Sequence, residues 1–134
     1  MPFSVAEAPT PFIHSRPRSA DDALISRAVA RVAAFWHLTN AQLGAILGLS
    51  PASVSRLRAG AYTVKPGEKP FELALLLTRL FRSLDAFMGS DDAAARAWLA
   101  TPNLDLGARP LDLLPSITGL IRVADYVDDH RARV

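Results

Sequence analysis

The chain has no cysteine among its 134 residues. That excludes a disulfide framework and any thiolate metal site. Histidine is scarce as well. His14, His37 and His130 stand far apart and form no H-x-x-x-H or H-E-x-x-H pattern, so no zinc site is expected. There is no G-x-G-x-x-G or phosphate loop. Ser53 and Ser55 have no neighbouring base. Asp128, Asp129 and His130 are adjacent on a helical pattern, where neighbours point in different directions rather than at one reacting atom. An enzyme is not expected: there are no catalytic residues, no metal and no cofactor. No apolar run reaches the ~20 residues that a membrane span needs, and the first 17 residues lack the basic start and apolar centre of a signal peptide. A soluble cytoplasmic protein is the expectation. Strands are not expected either, because no alternating apolar run is bounded by turn signals.

Charge is low overall but unevenly spread. The formal net charge is +2. Residues 21–70 carry six basic and three acidic side chains, whereas residues 71–134 carry seven basic and nine acidic ones. A modest basic excess therefore lies in the first half, where a phosphate-binding surface would need it.

That half contains T-N-A-Q-L-G-A-I-L-G-L-S-P-A-S-V-S-R-L-R-A-G, from Thr39 to Gly60. Its spacing predicts two short crossed helices, a helix-turn-helix. Leu43, Ile46 and Leu47 share one face of the first, Leu49 fills the turn, and Val54 and Leu57 share one face of the second. Thr39 and Ser50 stand at N-cap positions, Pro51 at the first helical position, and Gly48 at the end of the first helix. Gly44 is small where the helices would press together. Ser50, Pro51, Ala52, Ser53, Ser55, Arg56 and Arg58 then form a short polar and basic face suited to base edges and phosphates. Arg56 is the candidate for a base contact and Arg58 for a phosphate contact.

Around this unit the pattern is helical throughout. Residues 1–20 hold four of the ten prolines and read as a flexible arm. A helix starting near Asp21 should bury Leu24, Ala28, Val32 and Phe35, with Trp36 and Leu38 closing a small core. Residues 61–70 form a connector in which Lys65 and Lys69 either touch phosphate or stay solvated. The longest helix, Phe71–Met88, has an apolar arc too wide for one packed face. Leu76, Leu80, Phe81 and Leu84 on it are the candidate dimer interface. Ser90 should cap the next helix, which carries Trp98 and Leu99 as core anchors. Pro102 and Asn103 make a tight turn, Gly107 takes an unusual φ, and Arg109 either bridges to Asp112 or stays solvated. A short turn opens at Pro110. Ser116 caps a last helix from Ile117 to about His130, with Leu120, Ile121, Val123, Ala124 and Val127 turned inward. The expected architecture is all-α, with an arm over 1–20, a DNA-binding unit over 21–65 and a helical dimerisation and partner-binding unit over 66–134.

The second half carries W-L-A-T-P-N-L-D-L-G-A-R-P-L-D-L-L, then G-L at Gly119 and Leu120, and V-x-x-Y-V-D from Val123 to Asp128. This resembles the toxin-binding domain of the Xre/MbcA/ParS antitoxin family, and the first half resembles the Xre-like helix-turn-helix. The resemblance implies a bacterial type II antitoxin that pairs with a RES-domain toxin, an enzyme that destroys NAD. It further implies that the chain's C-terminal part covers the toxin's active site and that the complex represses its own promoter. The exposed residues of the last helix and tail are the candidates for toxin contact: Asp125, Tyr126, Asp128, Asp129, His130, Arg131 and Arg133. Removing Asp125 to Val134 should then leave a folded protein that no longer neutralises the toxin. Operator DNA and a second copy of the chain, within a larger toxin–antitoxin complex, are the other expected partners. The alternative reading is a stand-alone Xre-type repressor whose second half only dimerises. A weaker one is an interaction module whose helix-turn-helix has ceased to bind DNA.

Overall fold

Two caps and a glycine set the local geometry of the helix-turn-helix. A computed structural model describes residues 18–132. It contains α1 (Arg18–Trp36), α2 (Asn40–Leu47), α3 (Pro51–Arg58), α4 (Lys69–Phe87), α5 (Asp92–Ala100), α6 (Pro110–Leu113) and α7 (Ile117–Ala132). Among the described residues there is no strand, only an isolated antiparallel bridge between Asn103 and Ala108. The expected arm lies outside the described residues up to Pro17, and residues 18–20 belong to α1.

Helix α2 opens with a reciprocal cap. The Gln42 N–H donates to Thr39 Oγ1 at 3.0 Å, and the Thr39 N–H donates to Gln42 Oε1 at 2.8 Å. It ends at Gly48, whose φ of 74° lies in the left-handed region that favours glycine. The chain then folds back on Gly44: the Leu49 N–H donates to the Gly44 carbonyl at 2.9 Å. Ser50 starts α3, accepting from the Ser53 N–H at 3.1 Å, with Pro51 next. Leu43, Ile46, Leu47, Val54 and Leu57 are all buried, as their spacing predicts.

Helix α4 organises the remainder. Ala74, Leu77, Leu80 and Leu84 are fully buried. Its most extensive partner is α7, and α1 lies against it as well. One contiguous cluster of buried side chains runs from Val29 on α1 through α4 to Val127 on α7.

Four expectations are corrected. In α1 the buried face is Ser26, Val29, Val32, Ala33 and Trp36, while Leu24 and Phe35 remain exposed by 54% and 37%. Leu24, Ala28, Val32 and Phe35 do share a stripe, but it borders a groove, and only Val32 of the four is buried in the core. The N-cap of α5 is Asp91, which accepts from the Ala94 N–H at 3.0 Å. Ser90 takes a φ of 63° and donates instead to Asp85 at 3.1 Å. On α7, Ile121 is exposed while Leu120, Val123, Ala124 and Val127 are buried. Helix α4 starts at Lys69, two residues before the expected Phe71.

Two glycines are required by close approach. A Cβ on Gly44 would stand 2.5 Å from the Leu49 carbonyl oxygen, and one on Gly119 would overlap the Leu113 carbonyl oxygen. Both neighbours are backbone and cannot rotate away. Gly44→Ala should therefore destabilise the fold by about 1–3 kcal/mol, the usual range for overpacking. Urea denaturation of the variant checks this. A stability equal to wild type would mean that the turn relaxes freely.

Candidate functional site

The exposed side of α3 is short and polar. Ser50, Pro51, Ala52, Ser55, Arg56 and Arg58 are exposed, and Ser53 is half-buried. Arg56 Nη2 donates to Ser53 Oγ at 3.2 Å, and Ser50 Oγ donates to the same oxygen at 3.1 Å. These weak exposed contacts leave the Arg56 guanidinium available. Arg58 differs. Its Nη1 donates to the Leu38 carbonyl at 3.0 Å and to Asn40 Oδ1 at 3.2 Å. It braces the end of α3 against the α1–α2 corner, a tie that its spacing did not reveal. Lys65 turns back on the connector, donating to the Thr63 carbonyl at 3.1 Å and lying over the Tyr62 ring.

The second surface is built on α7 and the loop before α6. Trp98, Tyr126 and His130 form a ring ladder, with centroids 6.2 Å and then 3.9 Å apart. Tyr126 OH donates to Asp105 Oδ2 at 2.9 Å. His130 Nδ1 lies 2.8 Å from the Tyr126 carbonyl, which can only accept, so Nδ1 carries the proton. Of the two alternatives for Arg109 the bridge to Asp112 is the one formed, Nη2 to Oδ1 at 2.7 Å.

Asp128 is held rather than free. One carboxylate oxygen accepts from the Ser83 hydroxyl, the other from Arg79 Nη2 at 2.6 Å. The same Arg79 nitrogen lies 3.4 Å from Asp125. The Ser83 hydrogen bond, with the Arg79 guanidinium beside it, holds the Asp128 carboxyl below the usual carboxylate range against a smaller opposing effect of burial. Of the expected partner-contact residues, Asp125, Asp129 and Arg131 are exposed, while Tyr126, Asp128 and His130 are partly buried and engaged within the chain. Arg133 lies outside the described residues. Val127 is fully buried. Removing Asp125 to Val134 would strip a core side chain and the Asp128 anchor, so a truncated chain is not expected to keep its fold.

The expected dimer face is also revised. Leu80 and Leu84 are fully buried within the chain's own core and cannot meet a second subunit. The apolar arc of α4 is wide because other helices of the same chain cover it, α7 and α1 most extensively and α2 and α5 as well. Leu76 and Phe81 are partly exposed. Phe81 stacks on Phe35 at 5.7 Å and contacts Trp36 at 5.5 Å. It lines an open groove of about 380 Å³ between α1 and α4, together with Leu24, Ala28, Arg31, Val32, Phe35, Thr78 and Arg82. Among the described residues, no three His, Asp or Glu side chains are grouped as a metal site, and no helix is long and apolar enough to cross a membrane.

A capped helix-turn-helix with an exposed arginine on its second helix has the form of a DNA-binding unit. Two family models match the chain in tandem. The antitoxin Xre-like helix-turn-helix domain matches residues 16–79, and the antitoxin Xre/MbcA/ParS C-terminal toxin-binding domain matches residues 83–133. The chain belongs to the Xre/MbcA/ParS antitoxin family. Comparison with curated proteins found no match. The two matched segments meet inside α4, not in the connector before it.

The Asp128 anchor has a measurable pH signature. A carboxylate whose pKa is depressed on folding adds stability above its unfolded value, about 3.9, and loses it as pH falls through the folded value. Asp128→Asn should therefore melt below wild type at neutral pH, with the gap closing in acid. Thermal melts from about pH 7 down to about pH 2.5 measure it. A gap independent of pH would mean that the charge contributes nothing.

Proposed function

We propose that the chain is the antitoxin of a type II toxin–antitoxin system, a cytoplasmic and non-enzymatic regulator. Its partner is a RES-domain toxin that degrades NAD, and the antitoxin blocks it by covering its active site. The family match over residues 83–133 is the observation that carries this reading. The exposed charged side of α7 supports it, with Asp129 exposed and with Asp125 and Arg131 held only in exposed ion pairs to Arg79 and Asp128. The test is co-expression with the product of the adjacent gene, followed by NAD consumption in the presence and absence of the antitoxin. Replacing Asp125 and Asp129 together by lysine should abolish protection while leaving operator binding intact. Full protection by that variant would move the inhibitory contact elsewhere.

We further propose that the complex represses its own operon. Ser50, Pro51, Ala52, Ser53, Ser55 and Arg56 would lie at the major groove, on a homodimer that matches a palindrome with half-sites about one DNA turn apart. Residues 21–65 form the reader in this proposal, and residues 66–134 supply dimerisation and toxin binding. Leu76 and Phe81 remain available to the dimer contact. Arg56 is assigned to a base edge. Arg58 acts mainly by holding α3 in place. Arg56→Ala should weaken operator binding by about 1–3 kcal/mol, the usual worth of a good bidentate base contact, with unchanged melting temperature. Arg58→Ala should lower both affinity and melting temperature. Gel shifts at fixed salt and parallel thermal melts separate the two. An Arg56→Ala protein with wild-type affinity would refute the base contact.

A further inference from the structure

The groove between α1 and α4 encloses about 380 Å³. Phe35 and Phe81 stack at one end, and Ala28 and Leu24 continue the apolar lining back along α1 toward its start. Leu24 and Phe35 stay exposed by 54% and 37%. The one hydroxyl in the lining, on Thr78, already donates to the Ala74 carbonyl at 2.8 Å. Arg31 and Arg82 line the groove too, and neither has a carboxylate partner among the described residues. Such a surface suits an apolar segment that carries an acid and has few hydrogen bonds to satisfy.

The residues before α1 have that chemistry. Residues 1–17 contain Phe3, Val5, Phe12 and Ile13, a single acid at Glu7, and prolines at 2, 9, 11 and 17. Proline has no N–H to donate and favours the extended polyproline conformation, the form in which proline-rich segments dock on aromatic grooves. The run A-P-T-P-F-I, from Ala8 to Ile13, joins that preference to two large apolar side chains.

The segment is also tethered beside the groove. Helix α1 starts at Arg18, and Leu24 lies about 9 Å further along its axis. The five links from Ile13 to Arg18 span up to about 17 Å, enough to turn back and reach Leu24. A short tether holds its free end at an effective concentration on the order of millimolar. With Ile13 at Leu24, a polyproline path of about 3.1 Å per residue carries Glu7 about 19 Å along α1. Phe35 stands about 16 Å beyond Leu24 on the same axis, and it stacks on Phe81, the neighbour of Arg82. The acid therefore arrives at the level of an arginine that lacks a carboxylate. Arg16 falls in the reversal between Ile13 and α1, outside the groove.

We propose that residues 7–13 seat in the α1–α4 groove of their own chain, with Phe12 and Ile13 over Leu24 and Ala28 and with Glu7 beside Arg82. The contact covers the part of the α1 stripe that the core leaves open. It depends on neither the proposed toxin nor the proposed operator. It takes up Phe81 and leaves Leu76 for the proposed homodimer.

The cysteine-free sequence makes the test direct. Ile13→Cys combined with Leu24→Cys in one chain should close a disulfide within the monomer on mild oxidation at low protein concentration, since such a bond needs Cα atoms within about 7 Å. Helical content by circular dichroism should be unchanged, because position 24 is half exposed. Ile13→Cys combined with Ile121→Cys, on α7 outside the groove, should close far more slowly. Adding Glu7→Arg to the first pair should slow its closure several-fold, and adding Arg82→Glu as well should restore it. A second measurement needs no cross-link. The thiol of Leu24→Cys alone should react with iodoacetamide several-fold faster once Phe12→Asp and Ile13→Asp are added. Equal closure rates for the two cysteine pairs, or a thiol at position 24 indifferent to the two aspartates, would overturn the proposal. A disulfide that forms between chains rather than within the monomer would assign the segment to a second copy and overturn it as well.

Discussion

Everything in this molecule depends on burying α4 from two directions. Its leucines at 77, 80 and 84 have no exposure at all. A helix with so wide an apolar arc cannot be covered by one neighbour. Here α1 takes one side and α7 the other. Each fully buried leucine contributes roughly 1.5–3 kcal/mol at most, by area removed from water. The helix that receives the helix-turn-helix is therefore the same helix that receives the toxin-binding unit. The two families' segments meet within it, between residues 79 and 83, and no flexible joint separates them there.

Polar ties then select one arrangement of these helices. Only Ser26 and Ser83 are buried polar residues among the described side chains, and both are satisfied. Ser26 Oγ accepts from the Val64 N–H at 3.0 Å, fixing the connector on α1. Ser83 donates to Asp128, fixing α7 on α4. Apolar packing tolerates small slides of one helix on another, but a buried hydroxyl with a single partner does not. Arg58 and Arg96 act in a similar way at the surface, donating to the carbonyls of Leu38 and Phe35 near the end of α1.

The functional surfaces follow from how these ties distribute the charged groups. Arg56 is left with only a weak contact to Ser53, whereas Arg58 is committed to the fold. Asp129 is left exposed on α7, whereas Asp128 is committed to Ser83 and Arg79. Nearby residues of the same type thus divide into one that holds the structure and one that faces outward. Helical periodicity is the physical cause, since successive residues differ by about 100° around the axis.

Much of this was legible in the order of residues. Caps, the αL glycine at Gly48, the small residue at Gly44 and the apolar spacing of the helix-turn-helix are local properties, set within three or four positions along the chain. They appear in the structure as their spacing predicts. So do the turn at Asn103, the φ of Gly107 and the cap at Ser116. What local pattern could not decide was which way each apolar stripe faces. Leu24 and Phe35 share a face with Val32, yet they end at a groove. Leu80 and Leu84 read as surplus to one chain, yet α7 returns to cover them. Both outcomes depend on contacts between residues far apart in sequence, such as α1 with α4 and α4 with α7. Periodicity specifies that a helix has an apolar side, and only the packed tertiary structure decides what that side meets.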